Sequence, residues 1–202
     1  MKYEKPIDKA VRVFREHGGV MRTSQALEAG IHPGTLYAMR DSQVLERLAR
    51  GLYRLADLPP LENPDLTTVA LKVPQGVICL ISALDFHDLT AQIPHQIDLA
   101  LPRGAEPPWL EHPPLRIFRF SPRSYLAGVE THQIDDVPIR VYGPEKTIAD
   151  MFKYRNKLGL DLALEALQTY LNRGRPDLGQ IHDYARIDRV ANIMRPYLEA
   201  LL

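Results

Sequence analysis

The chain opens with apolar residues at helical spacing. Ile7, Ala10, Val11 and Phe14 fall at i, i+3, i+4 and i+7, which puts them on one face of a helix. Pro6 suits its first turn and Gly18-Gly19 ends it. Lys5, Lys9, Arg12 and Arg15 cover much of its remaining surface, either as a solvated face or as phosphate contacts. Val20, Met21 and Arg22 form a short extended piece. Thr23 or Ser24 is placed to cap a second helix, and Gly30 stops it. Ile31 follows as a buried residue in the turn. His32-Pro33 opens a third helix, with proline in the first turn, where a missing N–H costs little. Short helix, glycine-containing turn, helix is the order of a helix-turn-helix. Leu36 and Met39 face inward, leaving Thr35, Tyr37, Ala38 and Arg40 outward. Beyond Asp41 the pattern changes: Val44, Leu45 and Leu48 lead into a tight turn at Ala49-Arg50-Gly51, and 52–55 returns as a strand. The stretch 33–55 thus predicts a recognition helix and a two-stranded wing.

The segment 57–65, DLPPLENPD, holds three prolines, each of which fixes φ and removes a donor. It marks a boundary between a domain at 1–58 and one at 66–202, joined by a stiff linker at 59–65. The second domain begins with a helix over 66–73, capped by Asp65. Ser82 caps a short helix, ALDFHDLT. Alternation predicts strands over 96–101 and 115–120, and two more over 129–134 and 137–142 with Asp135-Asp136 as the hairpin turn. Pro144-Glu145 starts a helix with Ile148, Met151 and Phe152 on its apolar face. Three helical stripes follow: Leu160, Leu164, Leu167 and Leu171; then a segment capped by Asp177; then Val190 to Leu201. The predicted class is α+β: an N-terminal winged helix-turn-helix, then a small, mostly antiparallel sheet packed with several helices.

Composition narrows the function more by exclusion than by signal. The 202 residues are 45% hydrophobic and 25% charged, ordinary for a globular protein. No apolar run is long enough to span a membrane, and the N-terminal stretch lacks the apolar core of a secretory signal. One cysteine rules out an internal disulfide and makes a thiolate zinc site implausible, which suits a reducing cytoplasm. Cys79 lies in an apolar run and reads as a buried small hydrophobe. His87 reads as a hydrogen-bonding core residue, with lining a pocket as the alternative. Glycine-rich phosphate loops, HExxH and GxSxG are all absent, and Lys146 and Asp150 read as i,i+4 partners rather than a catalytic pair. No enzyme, cofactor or metal site is expected. Net charge is zero, but residues 1–58 carry ten Lys+Arg against seven Asp+Glu, and the rest fifteen against eighteen.

The positive excess of the first domain permits nucleic-acid binding without demanding it. The geometric argument is stronger. A helix fits the major groove of duplex DNA, where its N-terminal residues reach base edges. His32, Thr35, Tyr37 and Arg40 are the expected base contacts. Arg47, Arg50 and Arg54 on the wing are the expected phosphate or minor-groove contacts. The alternative is a winged helix serving as a protein-interaction module.

Arg50-Gly51-Leu52-Tyr53-Arg54-Leu55, GVICLISALDFHDLT and PEKTIADMF together resemble the AbiEi antitoxin family over nearly the whole chain. The resemblance implies an N-terminal winged helix that binds operator DNA at inverted repeats and represses its own operon. It implies a second domain needed for antitoxicity, with Ser82, Leu84, His87, Leu89, Lys146, Thr147, Ala149 and Asp150 as matching positions. It also implies a nucleotidyltransferase-like toxin of the AbiEii type encoded nearby, opposed in a type IV system without a stable complex. An antitoxin or adaptor that binds its partner directly is the rival reading.

Overall fold

The structure, a computed structural model, describes residues 5–201; residues 1–4 and 202, where the predicted domains and the N-terminal leader reading begin or end, lie outside that part. The first six elements are α1 (Pro6–Glu16), β1 (Val20–Arg22), α2 (Thr23–Glu28), α3 (Pro33–Asp41), β2 (Leu45–Ala49) and β3 (Leu52–Leu55). The strands form an antiparallel sheet in the order β1-β3-β2. Phe14, Met21, Ala26, Ile31, Leu36, Met39, Leu45 and Leu55 bury a single small core between the helices and this sheet. That is a winged helix-turn-helix, and its helix α3 and wing lie where the apolar pattern predicts. The start of α2 differs in detail: Arg22 occupies the cap position, and the Gln25 side chain accepts from its N–H at 2.8 Å.

The second sheet has five strands: β4 (Val77–Ile78), β5 (Ile97–Pro102), β6 (Leu115–Phe120), β7 (Val129–Ile134) and β8 (Val137–Tyr142), in the order β6-β5-β4-β8-β7. It is mixed rather than mostly antiparallel. β5 pairs with β6, and β4 with β8, in parallel; the other two pairings are antiparallel. Alternation within a strand says nothing of its neighbour's direction, and the two-residue central strand β4 is too short to alternate visibly. Helix α4 (Pro64–Lys72) covers one face, where Leu66, Val69 and Val73 meet Leu99, Leu101, Ile139 and Val141. The other face carries α5 (Leu80–Phe86), α6 (Pro122–Leu126), α7 (Pro144–Lys153), α8 (Arg155–Leu158), α9 (Leu160–Leu171), α10 (Leu178–Ile187) and α11 (Ala191–Leu201). There Phe120, Tyr142 and Phe152 are fully buried, each contributing roughly 1.5–3 kcal/mol relative to exposure.

Local signals succeed or fail by what surrounds them. Asp177 caps α10 as expected, accepting from the Gln180 N–H at 2.9 Å. At α4 the cap is Asn63, which accepts from the Leu66 N–H at 3.0 Å, and Asp65 lies inside the first turn. Helix α5 starts at Leu80, so Ser82 is not its cap; the Ser82 hydroxyl instead accepts from the Asp98 N–H at 2.9 Å. The Asp135-Asp136 turn has both residues at positive φ (52° and 60°), as a tight hairpin demands. Its Asp135 carboxylate also accepts from the Glu62 N–H at 2.9 Å and the Thr67 hydroxyl at 3.1 Å, which ties the proline-rich segment to the second domain. Among the described residues, no helix is long and apolar enough to cross a membrane.

Candidate nucleic-acid interface

Helix α3 is held from behind. Leu36 and Met39 are buried, at 1% and 0% exposure, and so leave one face of the helix for solvent. That face carries Gly34, Tyr37, Ala38, Arg40 and Asp41, all exposed. Tyr37 is 47% exposed, and the Arg40 guanidinium lies 5.2 Å from its ring centroid, a cation–π contact. Arg40 also donates from Nε (2.8 Å) and a terminal nitrogen (2.7 Å) to the Asp41 carboxylate. The Arg40 guanidinium is thus held between the Tyr37 ring and the Asp41 carboxylate.

Two expected base contacts have other work. His32 is the N-cap of α3: its Nδ1 accepts from the Gly34 N–H at 3.1 Å. A ring nitrogen that accepts leaves Nε2 as the donor. Thr35 is half-buried and lines a cavity of about 270 Å³ with Pro6, Ala10 and Ile31. The sequence reading missed Asp41, whose place on the outward face follows from helical spacing once Leu36 and Met39 define the inward one.

The wing is built on an irregular register. Gly51, at φ 71°, closes the turn with Arg50. A simple two-residue turn would set Arg47 opposite Arg54. The shift between Arg47 and Ala49 sets Glu46 opposite Arg54 instead. Arg54 donates to Glu46 at 2.6 Å and also to the Pro59 carbonyl, and only 6% of it is exposed. This corrects the expectation of a phosphate contact: Arg54 points into the protein and pins the linker, because a buried guanidinium must satisfy its donors internally. Arg47 and Arg50 are exposed.

Residues 8–56, the helices and wing just described, match the family model described as "Transcriptional regulator, AbiEi antitoxin". The N-terminal domain is similar to that of AbiEi antitoxin regulators over this stretch. Over the fold as a whole, the chain is similar to the crystal structure of the RV2827C protein from Mycobacterium tuberculosis, with a TM-score of 0.50 and 17% identity. The likeness spans 96% of this chain and 79% of that one, and it concerns fold alone. No curated protein matches the sequence.

Behind the winged helix, the second domain buries several charges. Lys146 is 0% exposed, with its ammonium 4.7 Å from the Tyr142 ring centroid and 5.1 Å from that of Phe120. It donates to Asp150, one turn on, and to Asp188 at 3.1 Å. Lys153 reaches the other Asp188 oxygen at 2.8 Å, and the Ser124 hydroxyl donates to it at 2.6 Å. Burial raises the Asp150 carboxyl well above its usual range, against the pull of Lys146. Burial raises Asp188 too, but Lys146 and hydrogen bonds from Lys153 and Ser124 outweigh it and hold it at about 2. The two acids are therefore driven apart, with the proton favoured on Asp150. One Asp150 oxygen has no hydrogen-bond partner among the described residues. The cluster joins α7 to the end of α10 and to α6. Lys146, Asp150 and Asp188 are buried, and Lys153 is partly exposed.

The remaining candidates are structural. Cys79 is fully buried, and burial pushes its thiol up. His87 bonds the Tyr142 carbonyl at 2.8 Å, and burial lowers its pKa. Among the described residues, no group of three or more His, Cys, Asp or Glu side chains could hold a metal ion.

Proposed function

We propose that this protein is an antitoxin and transcriptional autoregulator of a type IV toxin–antitoxin operon. In this reading α3 enters the major groove of operator DNA, and Arg47 and Arg50 contact phosphates from the wing. The observation that carries it is the Tyr37–Arg40 pair, exposed on a helix whose other face Leu36 and Met39 lock in place. A fixed helix presents its side chains at one depth and angle, which reading base edges requires. Arg40 bonds a guanine bidentately, and Tyr37 holds its guanidinium plane.

The counterpart is a nucleotidyltransferase-like toxin of the AbiEii type encoded nearby, opposed from the second domain without a stable complex. Residues 1–58 read DNA, 59–65 connect, and 66–202 carry antitoxicity. The protein works in the cytoplasm and performs no catalysis. Affinity rests on counterion release, so it falls steeply with salt.

A gel shift on the chain's own promoter, beside scrambled DNA of equal length, tests the reading. A preference for the promoter supports it. Equal affinity for both sinks sequence-specific recognition, and co-purification with the neighbouring gene product in high salt supports direct partner binding instead.

A further inference from the structure

A cavity of about 620 Å³ lies between the two domains, and no residue of α3 or of the buried charge cluster lines it. The first domain contributes Arg22, Ser24 and Gln25 beside the apolar Leu52. The second contributes Leu71 and Pro74 from the end of α4 and just beyond it, and Thr131, Pro138 and Arg140 from the hairpin of β7 and β8. Small-molecule sites occupy roughly 300–1,000 Å³ and concentrate at such domain boundaries.

Each domain supplies one cation to the lining, Arg22 and Arg140. Among the described residues no Asp or Glu lines the cavity, and neither guanidinium has a carboxylate at ion-pair distance. Both are nonetheless held in place. Arg22 donates to the Leu71 carbonyl across the domain boundary. Arg140 donates to the Gln75 carbonyl at 3.0 Å and to the Tyr125 hydroxyl at 3.3 Å, with its guanidinium 5.8 Å from that ring's centroid. A guanidinium has five N–H donors, so each keeps donors to spare. Arg140 stands opposite Thr131 in the β7–β8 register, which puts both side chains on one face of the hairpin. The Gln25 carbonyl oxygen is taken by the Arg22 N–H at 2.8 Å, which leaves its amide NH2 to donate. An arginine already fixed by neutral acceptors, and lacking a counter-charge, is preorganised for an anion.

We propose that this cavity is a binding site for a small aliphatic molecule carrying two anionic groups, one held by Arg22 and the other by Arg140. Carboxylate and phosphate both match the guanidinium fork. The Ser24 and Thr131 hydroxyls and the Gln25 amide add neutral donors, and the aliphatic body packs on Leu52, Leu71 and Pro74. No aromatic ring lines the cavity among the described residues, so a nucleobase finds no stacking partner there. A ligand bonded to both arginines touches both domains and binds best while they are docked in this arrangement, which it therefore stabilises. The site goes beyond the DNA reading and does not depend on it.

The test is calorimetric titration of the full chain, without DNA, against four probes: adipate and hexanediol bisphosphate as dianions, hexanoate as the singly charged analogue, and inorganic phosphate as the bare ion. We expect one dianion or both to bind about tenfold or more tighter than hexanoate and inorganic phosphate, and to raise the melting temperature. Which of the two binds tells carboxylate from phosphate. Arg22→Gln and Arg140→Gln should each weaken that binding about tenfold or more, since each removes one charged donor. Thr131→Trp fills the cavity and leaves both guanidiniums in place; it should weaken binding as much. Thr131 is exposed on its strand, so this variant keeps the test open even if an arginine variant folds poorly. Absence of binding by either dianion overturns the site. Equal affinity for dianion, hexanoate and inorganic phosphate means an adventitious ion only and overturns it too. So does a dianion whose affinity is unchanged in Thr131→Trp, because it then sits outside the cavity. Each of these failures leaves the DNA reading standing, since the titration contains no DNA.

Discussion

The two domains treat charge in opposite ways. In the first, Tyr37, Arg40, Arg47 and Arg50 stand on the surface, and the core behind them is almost purely apolar. In the second, Lys146, Asp150 and Asp188 lie inside, closed off by Phe120 and Tyr142. A surface charge costs little to keep and interacts weakly until a partner excludes water. A buried charge is costly and persists only while each partner remains. Removing a surface charge from the first domain should therefore leave the fold intact and weaken binding. Removing Lys146 or Asp188 from the second should weaken the fold itself.

The sharpest way to break that contrast is Lys146→Ala. It takes a cation from the buried Asp188 carboxylate and the hydrogen-bond donor from Asp150, and should cost about 3–5 kcal/mol of stability, read from urea unfolding. A loss below about 1 kcal/mol would mean the cluster is not held as a unit. Next come the two acids. Asp188→Asn should cost about 2–3 kcal/mol near neutral pH, because Lys146 and Lys153 lose their charged acceptor. Asp150→Asn mimics the protonated acid that burial favours and should cost under about 1 kcal/mol. The sign of the pH dependence follows. Asp188 is depressed to about 2 in the fold, so its stabilisation is complete above the ordinary carboxylate range and fades as pH falls towards about 2. The acid limb of the stability curve should flatten in Asp188→Asn; an unchanged limb would place the proton elsewhere.

Arg40→Ala tests the first domain. It should weaken promoter binding by about 1–3 kcal/mol, bring promoter and scrambled DNA closer together, and shift stability by no more than about 0.5 kcal/mol. The smallest effect separates two wing arginines four residues apart. Arg54→Ala should lower stability by about 1–2 kcal/mol, since its hydrogen bonds to Glu46 and Pro59 go. Arg50→Ala should leave the melting temperature almost unchanged and weaken binding to every duplex alike. Equal behaviour of the two in a melt would erase the distinction between inward and outward arginine.

Much of the first domain was legible in the sequence. Helix α3 has a single apolar side, set by Leu36 and Met39, and its start and the wing turn are marked by Pro33 and Gly51. Such signals are local, and nothing distant overrides them. The outward face of α3 was legible only in part. Tyr37 and Arg40 lie outward by spacing alone, whereas the capping role of His32 and the half-burial of Thr35 depend on packing against their surroundings. Arg54 was misplaced because the shift between Arg47 and Ala49 moves its cross-strand partner by one residue. In the second domain, Lys146 and Asp150 were visible as a helical pair, but their depth was not. Asp188 lies forty-two residues further along, and no pattern joins it to Lys146 before the helices dock.

The sequence by itself determined most of the helices and strands and where the wing turns. Those follow from side-chain periodicity and from φ constraints, which act over a few residues. The tertiary structure decided strand direction in the mixed sheet, which arginines face solvent, and where charge is buried. These depend on neighbours brought together from distant parts of the chain, because burial and cross-strand pairing belong to the packed assembly and not to any one segment.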